Sequence, residues 1–202
     1  MSLEWTHILA FNIAILGALV SPGPAFIAML RASMNDGRLA GLRCGVGLAT
    51  GGLIWSALAI GGLTTLFALV PWAYIAIKVM GAAYLLWLAV TLWRHADAPI
   101  ERHTALRLTG FRLGLLTNLA NPKAAIFIAA IFTTVLPGIP TGHDAMLILT
   151  NHLVLEVAWY STVALVLTTG PAQALYVRVK AHVDRASAAI LAALGLRLIL
   201  DR

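Results

Sequence analysis

The sequence predicts an all-α fold: a polytopic transmembrane helical bundle of about six spans, built as two inverted three-helix repeats with proline-broken first helices. Three observations carry this. The chain has 202 residues, 60% hydrophobic and only 11% charged, and its mean hydropathy is +0.89. A soluble domain is nearer half apolar and a quarter charged. Its long apolar runs approach the ~20 residues needed to cross ~30 Å of hydrocarbon. Its second half also repeats features of its first at a shift of 100 residues.

The runs lie at about 6–30, 42–69, 72–93, 111–136, 145–169 and 186–200. No alternating, strand-like pattern competes with them. Pro71, Pro99, Pro137, Pro140 and Pro171 fall at or between their ends, as helix stops do. The N-terminus, MSLEWTH, lacks the basic region and cleavage site of a signal peptide, so the first run is expected to be retained. One domain is expected over 1–202: a repeat over about 1–93, a cytoplasmic connector over 94–110 and a second repeat over about 111–202.

Charge orients the chain. Arg31, Arg38 and Arg43 surround the first connector, Arg94, Arg102, Arg107 and Arg112 the third, and Arg178, Lys180 and Arg185 the fifth. The second and fourth connectors carry no Lys or Arg, so ten of the fourteen basic residues share one side. The positive-inside rule makes that side cytoplasmic, with both termini outside. The last run is short and contains Arg197, and whether it spans decides the side of the C-terminus. The net charge of +6 is thus a topology signal and not a nucleic-acid patch. The single cysteine, Cys44, permits no intrachain disulfide.

The repeat pairs FNIAILGALVSPGPAFIAML (11–30) with FRLGLLTNLANPKAAIFIAA (111–130). Pro22 meets Pro122, Ser21 meets Asn121, and Pro71 and Pro171 keep the same offset. Three spans per half make the second half enter from the opposite side, and matched proline-interrupted segments point to a transporter site. Each break reads as a helix start: Ser21 or Asn121 caps, and Pro22 or Pro122 fills the first position. In the first break Gly23 and Pro24 complete the SPGP interruption. A half-helix beginning inside the membrane presents unpaired N–H groups with partial positive charge, which suit a carboxylate. Both prolines lie on the order of 15 Å from the cytoplasmic boundary, counting 1.5 Å per residue from Arg31 and Arg112.

Five polar residues bear on these breaks. Lys123 stands in the first turn of the second half-helix, where a cation opposes the helix dipole and a bound anion would explain it. Asn118 and Asn121 either donate to a substrate or satisfy freed backbone groups. Glu156, mid-run, exchanges protons or pairs with an ammonium group. His152 lies on the same helical face, with proton coupling and a structural role both open. Trp55 and its fellow tryptophans read as core or interface residues. Gly37, Gly41 and Gly45, and Gly47 with Gly51, are spaced for close helix approach within the chain, with a homodimer left open. No metal, cofactor or catalytic constellation is expected. The alternatives are an intramembrane lipid enzyme using Glu156 and His152, or a channel or packing subunit.

The landmarks SPGP, GLRCGVGLATGGLIW, KVMGAAYLLWL and GLLTNLANPKAAIF run in order from about residue 17 to 128. Together they resemble the lysine/threonine exporter superfamily (LysE-type translocators). VLEVAWYSTVAL is similar to the fifth span of its threonine-exporter branch, Glu156 included. The resemblance implies a multi-pass protein of the bacterial inner membrane. It would export an amino acid or derivative by the proton motive force, with the amino acid, the proton and membrane lipid as partners. Many members carry a polar or acidic residue after PGP, and some an acid before the second-span tryptophan. Here Ala25-Phe26 and Gly51-Gly52 stand there, which points to neutral, threonine- or homoserine-like substrates.

Overall fold

The computed structural model describes residues 3–20, 23–70, 72–98, 108–138, 140–166 and 169–200. Helices occupy all six apolar runs: α1 Trp5–Val20 and α2 Pro24–Asn35, α3 Arg38–Leu69, α4 Ala73–Arg94, α5 Gly110–Leu119 and α6 Pro122–Thr134, α7 Gly142–Val166 and α8 Gly170–Leu200. The first and fourth runs are each two helices, as the prolines predict. Within α3, Arg38–Gly62 is long and apolar enough to cross a membrane alone. The pairs α1–α2 and α5–α6 meet that standard together, each bent by 62° at its break.

Two boundaries differ from expectation. The second half-helix of the first run starts at Pro24, with Gly23 as its cap. The sequence alone places the start at Pro22 behind Ser21, two residues that fall outside the described ones. The reason lies in SPGP itself: a residue before proline is pushed out of the helical region, so Gly23 cannot be helical ahead of Pro24. Gly23 is accordingly extended, with φ −131° and ψ −175°. The second difference is α8, which continues back through the expected connector to Gly170. Pro171 therefore opens a helix instead of stopping one, as the first turn tolerates. Pro71 and Pro99 lie outside the described residues.

α3 is the central post, packed against α5, α7 and α2, while α4 packs mainly against α8. Glycines permit the closest approaches. A Cβ at Gly47 would collide with the Phe111 carbonyl, and one at Gly114 with the Cys44 carbonyl. Gly37, at φ +85°, makes the tight turn between α2 and α3 in a conformation that favours glycine. Near the C-terminal end of α4, Lys180 donates to the Ala96 carbonyl (3.1 Å) and pairs with Asp184 (2.8 Å), and Arg185 pairs with Asp97 (2.7 Å).

The outer surface is apolar. Leu9, Leu58, Val79, Trp87, Val154 and Ile199 are all more than half exposed. The buried set, by contrast, includes Ser56, Asn118, Asn121, His152 and Glu156. Apolar outside with polar residues within is the pattern of a helical membrane protein, because lipid covers the first and the bundle must satisfy the second.

Candidate functional site

The site grows from the α5–α6 break. α5 ends where the Ala120 N–H reaches the Leu116 carbonyl (2.9 Å) and the Asn121 N–H reaches the Asn118 carbonyl (3.0 Å). Pro122 cannot continue the ladder, so the chain restarts. Asn121 caps the new helix: its Oδ1 accepts from the Lys123 N–H at 3.1 Å. This is the cap the sequence predicts. Asn118, 3% exposed, fastens the break to α3. Its Nδ2 donates to the Leu48 carbonyl at 2.8 Å, and its own carbonyl accepts from Trp55 Nε1 at 3.3 Å. A Cβ at Gly51 would stand 2.6 Å from Asn118 Cβ, so α3 needs glycine there.

Glu156 comes from α7 and is 4% exposed. Its Oε1 lies 3.2 Å from His152 Nε2, without the alignment of a hydrogen bond. Its Oε2 has no hydrogen-bond partner among the described residues. A Cβ at Gly52 would collide with that oxygen. The Gly51-Gly52 pair therefore makes room for Asn118 and Glu156, and an acidic side chain at 52 would run into Glu156. His152, fully buried, is fixed on its other side by Ser56, whose Oγ is 2.7 Å from Nδ1.

These pieces border one partly open cavity. Both helix starts line it, Gly23, Ala25 and Phe26 from α2 and Asn121, Lys123 and Ala124 from α6, together with Asn118 from α5 and Glu156 and Tyr160 from α7. The remaining walls are apolar: Ile15, Ala18, Leu19, Phe127 and Ile128. Such a cavity, mostly apolar with a few convergent polar groups, is how small-molecule sites are built. Lys123 is its basic side chain and Glu156 its carboxyl group. Asp184 of α8 also lies within electrostatic reach of Lys123.

Of the residues expected at a site, Gly23, Asn118, Asn121, Lys123 and Glu156 are thus brought together. His152 touches Glu156 from outside the lining. Pro24 and Pro122 begin the two helices. Ser21 and Pro22 lie outside the described residues. Sequence reasoning missed Tyr160, Ser56 and the role of Gly52. Tyr160 was findable, four residues beyond Glu156 on the face that already held His152. Ser56 and Gly52 come from another helix, and nothing in one sequence pairs them with α7.

The model of the LysE type translocator family matches residues 16–202. A threonine efflux protein of Salmonella typhi is 30% identical over 193 residues, covering 92% of this chain and 93% of its own. The threonine efflux protein of Escherichia coli K12 matches to the same extent. A homoserine/homoserine lactone efflux protein of Salmonella typhimurium is 35% identical over 136 residues, 65% of each chain. No solved structure matches. With a family match over nearly the whole length and an apolar helical bundle around a cavity, the chain belongs to the LysE-type translocators, membrane proteins that carry their substrate and are not enzymes.

Proposed function

We propose that the protein is a secondary transporter that exports a small neutral amino acid, threonine- or homoserine-like, or a close derivative, from the cytoplasm across the bacterial inner membrane. The observation that carries this reading is the cavity's charge pattern: Lys123 and Glu156 in one pocket with two helix starts. A zwitterionic amino acid has the complementary pattern. Its carboxylate would meet Lys123 and the N–H groups of the half-helices. Its ammonium would meet Glu156, or Glu156 would carry the antiported proton, with His152 beside it. The efflux proteins similar to this chain favour the same class of cargo. A cationic amino acid would bring a second positive charge, and Gly52 supplies no second carboxylate to receive it.

Alternating access would come from one three-helix repeat rocking against the other around this site, across six spans. The equal 62° bends of the two broken helices support that repeat. The proton motive force would supply the drive, at about 2.3 kcal/mol per charge per 100 mV.

The test is reconstitution in liposomes with an imposed pH gradient and a panel of labelled amino acids. Gradient-driven movement of threonine or homoserine is expected, and a rate indifferent to the gradient would turn the reading toward a channel. Glu156→Gln should abolish gradient-driven export while leaving insertion intact; unchanged export removes Glu156 from the mechanism. Lys123→Met should raise the KM for the free acid about tenfold, one charge-assisted contact being worth on the order of 1.5 kcal/mol. Equal transport of amino-acid amides and free acids by the parent protein would overturn the carboxylate site.

A further inference from the structure

The cavity stops at the same height on three helices, and what stops it is a single cluster of rings. Towards one end of the bundle its last lining residues are Ile15 on α1, Ile128 on α6 and Glu156 on α7. One helical turn beyond each, four residues away, stand Phe11, Phe132 and His152. All three are fully or almost fully buried, at 0%, 1% and 0% exposure. Phe11 touches the other two. Phe11 meets Phe132 edge to face at 5.8 Å between ring centroids, and meets His152 in the same way at 5.6 Å.

Beside this plug two amides clasp α1 to α7. Asn151 Nδ2 donates to Asn12 Oδ1 at 2.6 Å, and Asn12 Nδ2 to Asn151 Oδ1 at 3.4 Å. In an apolar bundle an amide pair gains more from mutual bonding than from exposure to lipid. The plug is also wired to the cavity floor: His152 Nε2 faces Glu156 Oε1 at 3.2 Å, and Ser56 holds Nδ1 from α3.

We propose that Phe11, Phe132 and His152 form the outer gate of the transport path, latched by the Asn12–Asn151 pair and coupled through His152 to Glu156. This rests on the transport reading for its role and on the charge topology for its side: the N-terminal ends of α1 and α7 and the C-terminal end of α6 point outward. Cargo leaving to the outside has to part the three rings and the two amides. A proton or an ammonium group arriving at Glu156 changes the 3.2 Å contact that His152 makes there, while ring packing and the amide latch remain. Occupancy of the cavity and release of its outer cover are thereby linked through one imidazole.

The test uses right-side-out vesicles holding the full chain with Cys44→Ala and a reporter, Ala18→Cys, in the cavity wall. A membrane-impermeant maleimide is applied from outside. Slow labelling of the parent is expected, and about tenfold faster labelling in Asn151→Ala, which removes the latch. Phe132→Leu keeps bulk and should speed labelling by a smaller factor, which guards against a misfolded alanine variant. Glu156→Gln should also raise the rate, a response that a merely structural ring cluster would not give. Labelling equal in the parent and in all three variants would overturn the gate. No substrate is needed, so accelerated labelling with no amino-acid export in liposomes would sink the export reading and leave the gate standing.

Discussion

The two helix breaks look alike in sequence and are built differently. The second, at Ala120–Asn121, is braced. Asn121 caps α6 with its side chain, Asn118 is bonded to α3 through Leu48 and Trp55, and α5 lies backbone-close to α3. The first, at Gly23, has no side-chain cap. Its α1 meets α7 through side chains, Asn12 with Asn151 and Phe11 with His152. A helix held by glycine-mediated backbone contact cannot slide without a clash, whereas one held by side chains can repack. The second break is thus the more rigidly held of the two, an anchor beside which the first has more room to repack.

The largest effect should come from attacking the anchor where it has no slack. A Cβ at Gly114 would collide with the Cys44 carbonyl, which is backbone and cannot swing away. Gly114→Val should therefore cost about 3 kcal/mol or more, seen as early thermal unfolding or aggregation in detergent. The matching test on the other side is Gly17→Ala, where the nearest atom is the Ile190 Cγ2 methyl at 3.2 Å, a side-chain contact that needs to give by only a few tenths of an ångström. Its effect should stay within about 0.5 kcal/mol, helped by the better helix propensity of alanine. Equal damage from both would erase the distinction between anchor and partner.

That distinction also marks what the sequence could and could not tell. The six helical runs were legible because each is a long apolar stretch. The second break was legible residue by residue, since Asn before Pro is an unambiguous helix start. The first was misplaced by two residues, because SPGP offers two prolines and the steric rule on Gly23 had to choose between them. α8 was cut short because Arg178, Lys180 and Arg185 read as a loop, yet their partners Ala96 and Asp97 arrive only through tertiary packing. The gathering of Asn118, Lys123 and Glu156 around one cavity followed from the depth of each. The glycines that make room for two of them, and Ser56 behind His152, depend on which face α3 turns to α7, and a nearly all-apolar helix carries no such signal.

A smaller effect should come from the cap itself. Asn121→Ala removes the acceptor for the Lys123 N–H and should destabilise the protein by about 1 kcal/mol, the usual worth of a capping side chain. If α6 is the anchor's floor, the loss should appear in thermal stability and also in a raised KM, because Lys123 is the next residue but one and would lose its fixed position. A stability loss with an unchanged KM would separate the cap from the binding of cargo.

The smallest change should be the most informative about the first break. Gly23 lines the cavity and is extended, a conformation that asparagine also adopts, so Gly23→Asn introduces a cap without backbone strain. Replacing a glycine cap by asparagine is worth only a few tenths of a kcal/mol, so stability should rise slightly or not at all. Transport should respond more than stability does. The new side-chain oxygen would compete for the first-turn N–H groups that the cargo's carboxylate would otherwise reach, and KM should increase several-fold while insertion is unchanged. If KM stays the same, the first half-helix contributes walls and movement but no anion contact, and the carboxylate is held by the α6 start and Lys123 alone. The two breaks would then divide the work completely, one binding and one moving, which a side-chain cap on only one of them already suggests.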